Sequence, residues 1–255
     1  MLEADAAVAL AHPPSSRERA MTALAWAVHL YTASGAALGL LAIHYAARGE
    51  VRPAFAAMGV ATVVDATDGP LARWLRVRDR APALDGTMLD NVVDYLTYVV
   101  APLFLMLRMA ILPARWPGLA VAIMAAMASA YGFCRVDAKT EDGYFRGFPS
   151  YWNLVALYLF CLRLPAGLNA AIVAALSAMV AMPLKFIYPN RTGPLRKLTL
   201  TLSVAWAAVT LGMVAELPVC SSALLYPSLA YVGYYLATSF ALQVRGKFAR
   251  WRLTT

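Results

Sequence analysis

Apolar stretches of near-membrane length alternate with short polar turns along almost the whole chain. They lie at 22–46, 53–73, 86–112, 116–134, 149–164, 167–187, 197–216 and 222–243. A helix needs about 20 mainly apolar residues to cross a bilayer. Each stretch is near that length except the fifth, which is short. The segment before the first, His12-Pro13-Pro14-Ser15-Ser16-Arg17-Glu18-Arg19, lacks the cationic start and cleavage pattern of a signal peptide. Ser15 or Ser16 is expected to cap a short interfacial helix running into the first span. Neither an internal repeat nor a low-complexity segment is evident, and the polar turns are too short for a soluble domain. The pattern predicts an all-α integral membrane protein of about eight transmembrane helices, preceded by that short N-terminal interfacial helix.

Composition agrees: 61% hydrophobic and 14% charged residues, with a mean hydropathy of +0.61, exclude an ordinary soluble domain. The formal net charge of +8 suits anionic lipid and an anionic substrate. No nucleic-acid partner is expected of a membrane-embedded chain. Of the 22 Lys and Arg, all but Arg48, Arg52, Arg108, Arg115 and Arg163 fall at the termini or in alternate turns. That asymmetry puts both termini, and the turn after the second span, in the cytoplasm. Cys134, Cys161 and Cys220 are isolated and odd in number. They are expected to pack inertly, with neither a disulfide framework nor a metal site.

The chemistry concentrates between residues 65 and 94. Asp65 and Asp68 are three apart and Asp90 and Asp94 four apart, so each pair shares a helix face. Like charges so placed repel without a counter-ion. If the two helices are neighbours, four carboxylates converge, a ligand set suited to hard divalent cations such as Mg²⁺ or Mn²⁺. Thiolates and imidazoles are missing from the stretch, which argues against zinc. Ionisable groups at membrane depth are costly and by default functional. Here they sit near the cytoplasmic face, where lipid and water both have access.

The residues Asp65-x-x-Asp68-Gly69-x-x-Ala72-Arg73, followed by Gly86-x-x-x-Asp90-x-x-x-Asp94, resemble the signature of the CDP-alcohol phosphotransferase family. Twelve residues separate Arg73 from Gly86, a longer interval than the family usually shows and one similar to its choline-using bacterial branch. The stretch Phe148-Pro149-Ser150-Tyr151-Trp152-Asn153 is similar to the same branch. Arg135, Lys139, Phe145, Gly147 and Pro149 look like the matching segment of the serine-using branch.

The resemblance implies transfer of a phosphatidyl group from CDP-diacylglycerol to choline at two divalent ions, in a bacterial inner membrane. It implies that Asp65, Asp68, Asp90 and Asp94 hold the metals, with Asp94 also the general base. It further implies that Asp68, Gly69, Ala72, Arg73 and Gly86 meet the nucleotide and diphosphate. Arg135 and Lys139 are either phosphate ligands or part of a solvated basic loop. A quaternary ammonium is held by aromatic faces, and Tyr151, Trp152, Tyr144, Tyr95 and Tyr98 are the candidates near the motif; each also suits a membrane interface. Another acceptor (serine, inositol phosphate or glycerol phosphate) stays open, as does a transporter using the acids as an ion site.

The expected division is an N-terminal segment 1–21, a core of six helices at 22–190, and two additional helices with a basic tail at 191–255. Together they form one membrane domain. Packing, a homodimer contact or a lipid-facing role would each explain the last two helices.

Overall fold

The computed structural model describes residues 15–137, 144–187 and 196–254. Helices α1 (Ser16–Ala47), α2 (Val51–Trp74) and the short α3 (Val77–Arg80) come first. Next come α4 (Gly86–Asp94), a π-helical segment (Tyr95–Val100) and α5 (Ala101–Arg108), which join into one continuous rod. They are followed by α6 (Trp116–Cys134), strand β1 (Tyr144–Arg146), α7 (Trp152–Leu162) and α8 (Ala166–Ala181). Strand β2 (Lys185–Ile187), α9 (Arg196–Glu216) and α10 (Ser222–Thr254) complete the chain. The protein is an all-α integral membrane protein, with one small β-ribbon among the described residues. Four helical rods among the described residues (α1, Gly86–Arg108, α6 and most of α9) are long and apolar enough to cross a bilayer. The helix α2 is comparable in length but carries Arg52, Asp65, Asp68 and Arg73.

Among the described residues, eight helical rods occupy the positions of the eight predicted spans; α10 runs past the predicted end at 243 to Thr254, and four other differences follow. First, the interfacial helix is not separate: α1 is continuous for 32 residues. Ser15 is its N-cap, accepting from the Glu18 amide at 3.2 Å while its own amide donates to the Glu18 carboxylate at 2.7 Å. Second, the third span ends at Arg108 and contains the π segment. Third, the fifth begins at Trp152, because Phe148–Tyr151 runs without helical structure into it. Fourth, the sixth stops at Ala181, one residue before the Met182-Pro183 pair, and the chain then extends to form β2. A residue preceding proline avoids the helical region, and Met182 has ψ 147°. Residues 1–14 lie outside the described set.

The buried face of α1 reads Ala25, Val28, His29, Thr32, Gly35, Gly39, Ala42, Ala46, a stripe of mostly small residues. Small residues let membrane helices approach closely. A Cβ on Gly35 would stand 2.5 Å from a Val93 methyl, so α4 sits directly against α1. The same helix packs along α2, and it thereby brings the two acidic helices together.

The expectation of unpaired cysteines is corrected. Cys161, at the end of α7, is disulfide-bonded to Cys220 in the turn between α9 and α10, with Cα atoms 5.4 Å apart. Beside it, Arg52 donates to the Leu217 carbonyl at 2.6 Å, tying α2 to the same turn. The bridge spans 59 residues of sequence, so only helix packing brings its halves together. Cys134 is free and exposed.

Candidate functional site

The acidic helices meet at a cavity of about 450 Å³ bounded by α2, α4, the π segment and the Arg146–Tyr151 strand-to-helix segment. Asp65, Asp68 and Asp90 each present a carboxylate oxygen, all within 4.8 Å of one another. Asp94, one turn beyond Asp90, lines the same cavity. Asp68 is only 6% exposed, and its Oδ2 accepts from the Thr32 hydroxyl of α1 at 2.8 Å. Asp65 accepts from the Tyr98 hydroxyl at 2.7 Å. Tyr98 belongs to the π segment, where the extra residue per turn shifts which side chains face α2. Pro70, inside α2, cannot donate to the Ala66 carbonyl, and both residues line the cavity.

This donor set fits a divalent cation. Carboxylates are hard oxygen ligands, the described lining residues include no thiol or imidazole, and three carboxylates this close gain from a positive charge between them.

Across the cavity, Arg146 to Tyr151 form a wall. Gly147 has φ +84°, and a Cβ there would run into the Val180 carbonyl, so glycine is required on both counts. Its amide donates to the Leu184 carbonyl at 2.7 Å, and the Phe148 amide donates to Met179 at 3.1 Å. Arg73 and Arg146 line the cavity. The Arg73 guanidinium folds back over Gly69, 3.3 Å from where a Cβ would stand. Arg146 donates to Asp137 at 2.5 Å, and Arg135 donates to the other oxygen of that carboxylate at 2.8 Å. The Arg135 hydrogen bond holds the Asp137 carboxyl below the usual carboxylate range, and the Arg146 charge acts in the same sense.

Of the predicted site residues, Asp65, Asp68, Gly69, Arg73, Asp90, Asp94, Tyr98 and Tyr151 line the cavity. The others are placed differently. Arg135 does not line it; its guanidinium is taken by Asp137 and stands 5.6 Å from the Tyr131 ring centre. Ala72 packs against the small cluster of Ala25, Val28, Leu75, Val77 and Ala81. Gly86 faces the His29 imidazole. Trp152 is fully buried and donates to the Ser129 hydroxyl at 2.7 Å. Tyr95 donates to the Ala126 carbonyl at 3.0 Å. Lys139 lies outside the described residues, and Tyr144 is described as the first residue of β1.

Residues missed by sequence reasoning are Arg146, Phe148, Phe133 and Asn91 in the lining and Thr32 behind Asp68. Both absent aromatics touch present ones: Phe148 meets Trp152 edge-on at 5.2 Å, and Phe133 meets Tyr95 at 5.9 Å. Tyr98 and Tyr151 have ring centres 6.0 Å apart. An aromatic segment thus signalled the right region, whereas which ring faces inward depends on backbone geometry.

Three curated bacterial proteins, each named phosphatidylcholine synthase, are similar to this chain. The protein of Bradyrhizobium diazoefficiens is 42% identical over 193 residues, covering 75% of this chain and 72% of its own length. That of Legionella bozemanae is 40% identical over 192 residues, covering 72% and 87%. That of Pseudomonas aeruginosa is 36% identical over 219 residues, covering 84% and 91%. No protein-family model matches the chain.

Proposed function

Because this chain belongs to the phosphatidylcholine synthase family, we propose that it transfers the phosphatidyl group of CDP-diacylglycerol to choline. The choline oxygen forms a bond to the lipid-bearing phosphorus, the bond from that phosphorus to the CMP oxygen breaks, and phosphatidylcholine and CMP leave. The observation that carries the reading is the convergence of Asp65, Asp68 and Asp90 beside Asp94, Arg73 and Arg146 on one cavity.

In this reading Asp65, Asp68, Asp90 and Asp94 hold two divalent ions, Mg²⁺ or Mn²⁺. Bound there, the ions supply positive charge that neutralises the diphosphate and the departing phosphate. Asp94 takes the proton from the choline hydroxyl. Arg73 and Arg146 orient phosphate oxygens through their planar forks. Tyr98, Tyr151 and Phe148 offer ring faces to the trimethylammonium group, each worth about 0.5–2 kcal/mol. Thr32 and Tyr98 fix the carboxylates they touch. Thr32→Val is expected to raise the Mn²⁺ concentration for half-maximal CMP release by about 10–100-fold, the usual cost of losing a partner behind a ligand. Thr32→Ser should stay near wild type; equal metal requirements in all three proteins would remove Thr32 from the site.

The site opens toward the cytoplasm of a bacterial inner membrane in this reading, on the side of the basic turns. The Cys161–Cys220 bridge is consistent with that orientation, because it joins the end of α7 to the α9–α10 turn, in turns that alternate along the chain with the basic ones, where an oxidising periplasm would preserve it.

The deciding experiment measures CMP release by purified protein with CDP-diacylglycerol and Mn²⁺, offering choline, serine, inositol or glycerol 3-phosphate in separate reactions. Release with choline alone is expected. Release with a different alcohol overturns the acceptor, and no release with any overturns the reaction.

A further inference from the structure

The last helical pair has no part in the acidic motif, yet it is joined to the cavity wall. Hydrogen bonds anchor it first. Thr199 and Ser203 of α9 bond to the Tyr234 and Tyr231 hydroxyls of α10 at 3.0 and 2.7 Å. Trp206 of α9 donates to the Tyr158 hydroxyl of α7 at 2.8 Å, and Tyr158 bonds in turn to Ser228 of α10 at 2.6 Å. Inside a membrane such bonds hold helices in register.

From this anchored position α10 reaches β2. Phe186, the middle residue of β2, is 2% exposed. Tyr235 stacks on it with ring centres 6.5 Å apart and planes 16° from parallel, and Phe240 meets it edge-on at 6.3 Å. The strand β2 pairs antiparallel with β1, setting Phe186 opposite Phe145 and Lys185 opposite Arg146. A ribbon of two three-residue strands has little stability alone and needs a packing partner. Its continuation is the cavity wall: Arg146 ends β1, and Gly147 and Phe148 bond to Leu184 and Met179 just ahead of β2.

We propose that α10 is a working part of the site, its Tyr235 and Phe240 rings clamping Phe186 so that the β1–β2 ribbon holds Arg146 and Phe148 at the cavity. Tyr235 is then a positioning residue: it touches no substrate and acts through Phe186. The kinetic side of this inference rests on the function proposed above; the structural side does not.

Two measurements on full-length protein separate them. In Tyr235→Ala, hydrogen exchange of amides 144–148 is expected to quicken about tenfold, since the ribbon loses its packing partner. The KM for CDP-diacylglycerol is expected to rise about tenfold with kcat within about twofold, the signature of lost uniform binding. Tyr235→Phe keeps the ring and should match wild type in both. Tyr234→Phe, which removes a bond between α9 and α10 but leaves Phe186 covered, should also match wild type. Unchanged exchange in Tyr235→Ala overturns the proposal. So does an equal effect in Tyr234→Phe, which would mean general loosening, or in Tyr235→Phe, which would assign the effect to the hydroxyl. A fall in kcat at constant KM would mean loss of folded protein and overturns it too. If wild type releases no CMP with any alcohol, the function fails, and the exchange result still decides the clamp.

Discussion

Asp94→Asn is expected to lower CMP release by about 10²–10⁴-fold, the usual contribution of a positioned proton acceptor. An alcohol is a weak nucleophile at neutral pH, so the reaction depends on removing its proton as the new bond forms. Asp94 lines the cavity one turn beyond Asp90, together with Asp65, Asp68 and Asp90, whose oxygens lie within 4.8 Å of one another. The Asn amide has nearly the same shape and accepts no proton at neutral pH. Packing at the start of the π segment should survive, and CDP-diacylglycerol should still bind. Equilibrium binding and single-turnover CMP release on the same preparation check this. Binding retained with release abolished supports the base; substantial residual release would remove Asp94 from that role.

Removal of divalent cations is expected to be as severe. EDTA should bring CMP release to background, and Mn²⁺ or Mg²⁺ in excess of the chelator should restore it. The cause is the repulsion among carboxylates whose oxygens lie within 4.8 Å of one another. In the proposed reaction a cation held by these carboxylates would relieve that repulsion and would attract the diphosphate. Thermal unfolding gives a second readout: metal binding to the folded state should raise the midpoint. Full activity in EDTA, with an unchanged midpoint, would discard the metal centre and leave the acids unexplained.

The properties legible in the chain are those that depend on near neighbours. Hydropathy over about 20 residues locates the helices because each membrane helix satisfies its own backbone hydrogen bonds and faces lipid independently of the others. The i, i+3 and i, i+4 spacing of Asp65/Asp68 and Asp90/Asp94 pairs acids on a face because one helix sets that geometry. Ser15 and Glu18 cap α1 across three residues. Contacts between distant segments follow no such rule. The Cys161–Cys220 bridge, the Thr32 bond to Asp68 and the stack of Tyr235 on Phe186 join residues 59, 36 and 49 apart, and each exists only once the helices pack.

Inward-facing identity was equally hidden. Arg135 and Arg146 lie in one basic stretch, but Arg135 is held by Asp137 outside the cavity lining while Arg146 reaches it. Phe148 rather than Trp152 faces the cavity because Gly147 turns the backbone at positive φ and α7 then buries Trp152 against Ser129. The π segment turns Tyr98 onto Asp65 and Tyr95 onto Ala126. Local periodicity and charge thus specify which helices form and which carry acids. The direction of each side chain at the site is instead a property of packed helices, since it depends on register, on one extra residue in a turn, and on partners far away in sequence.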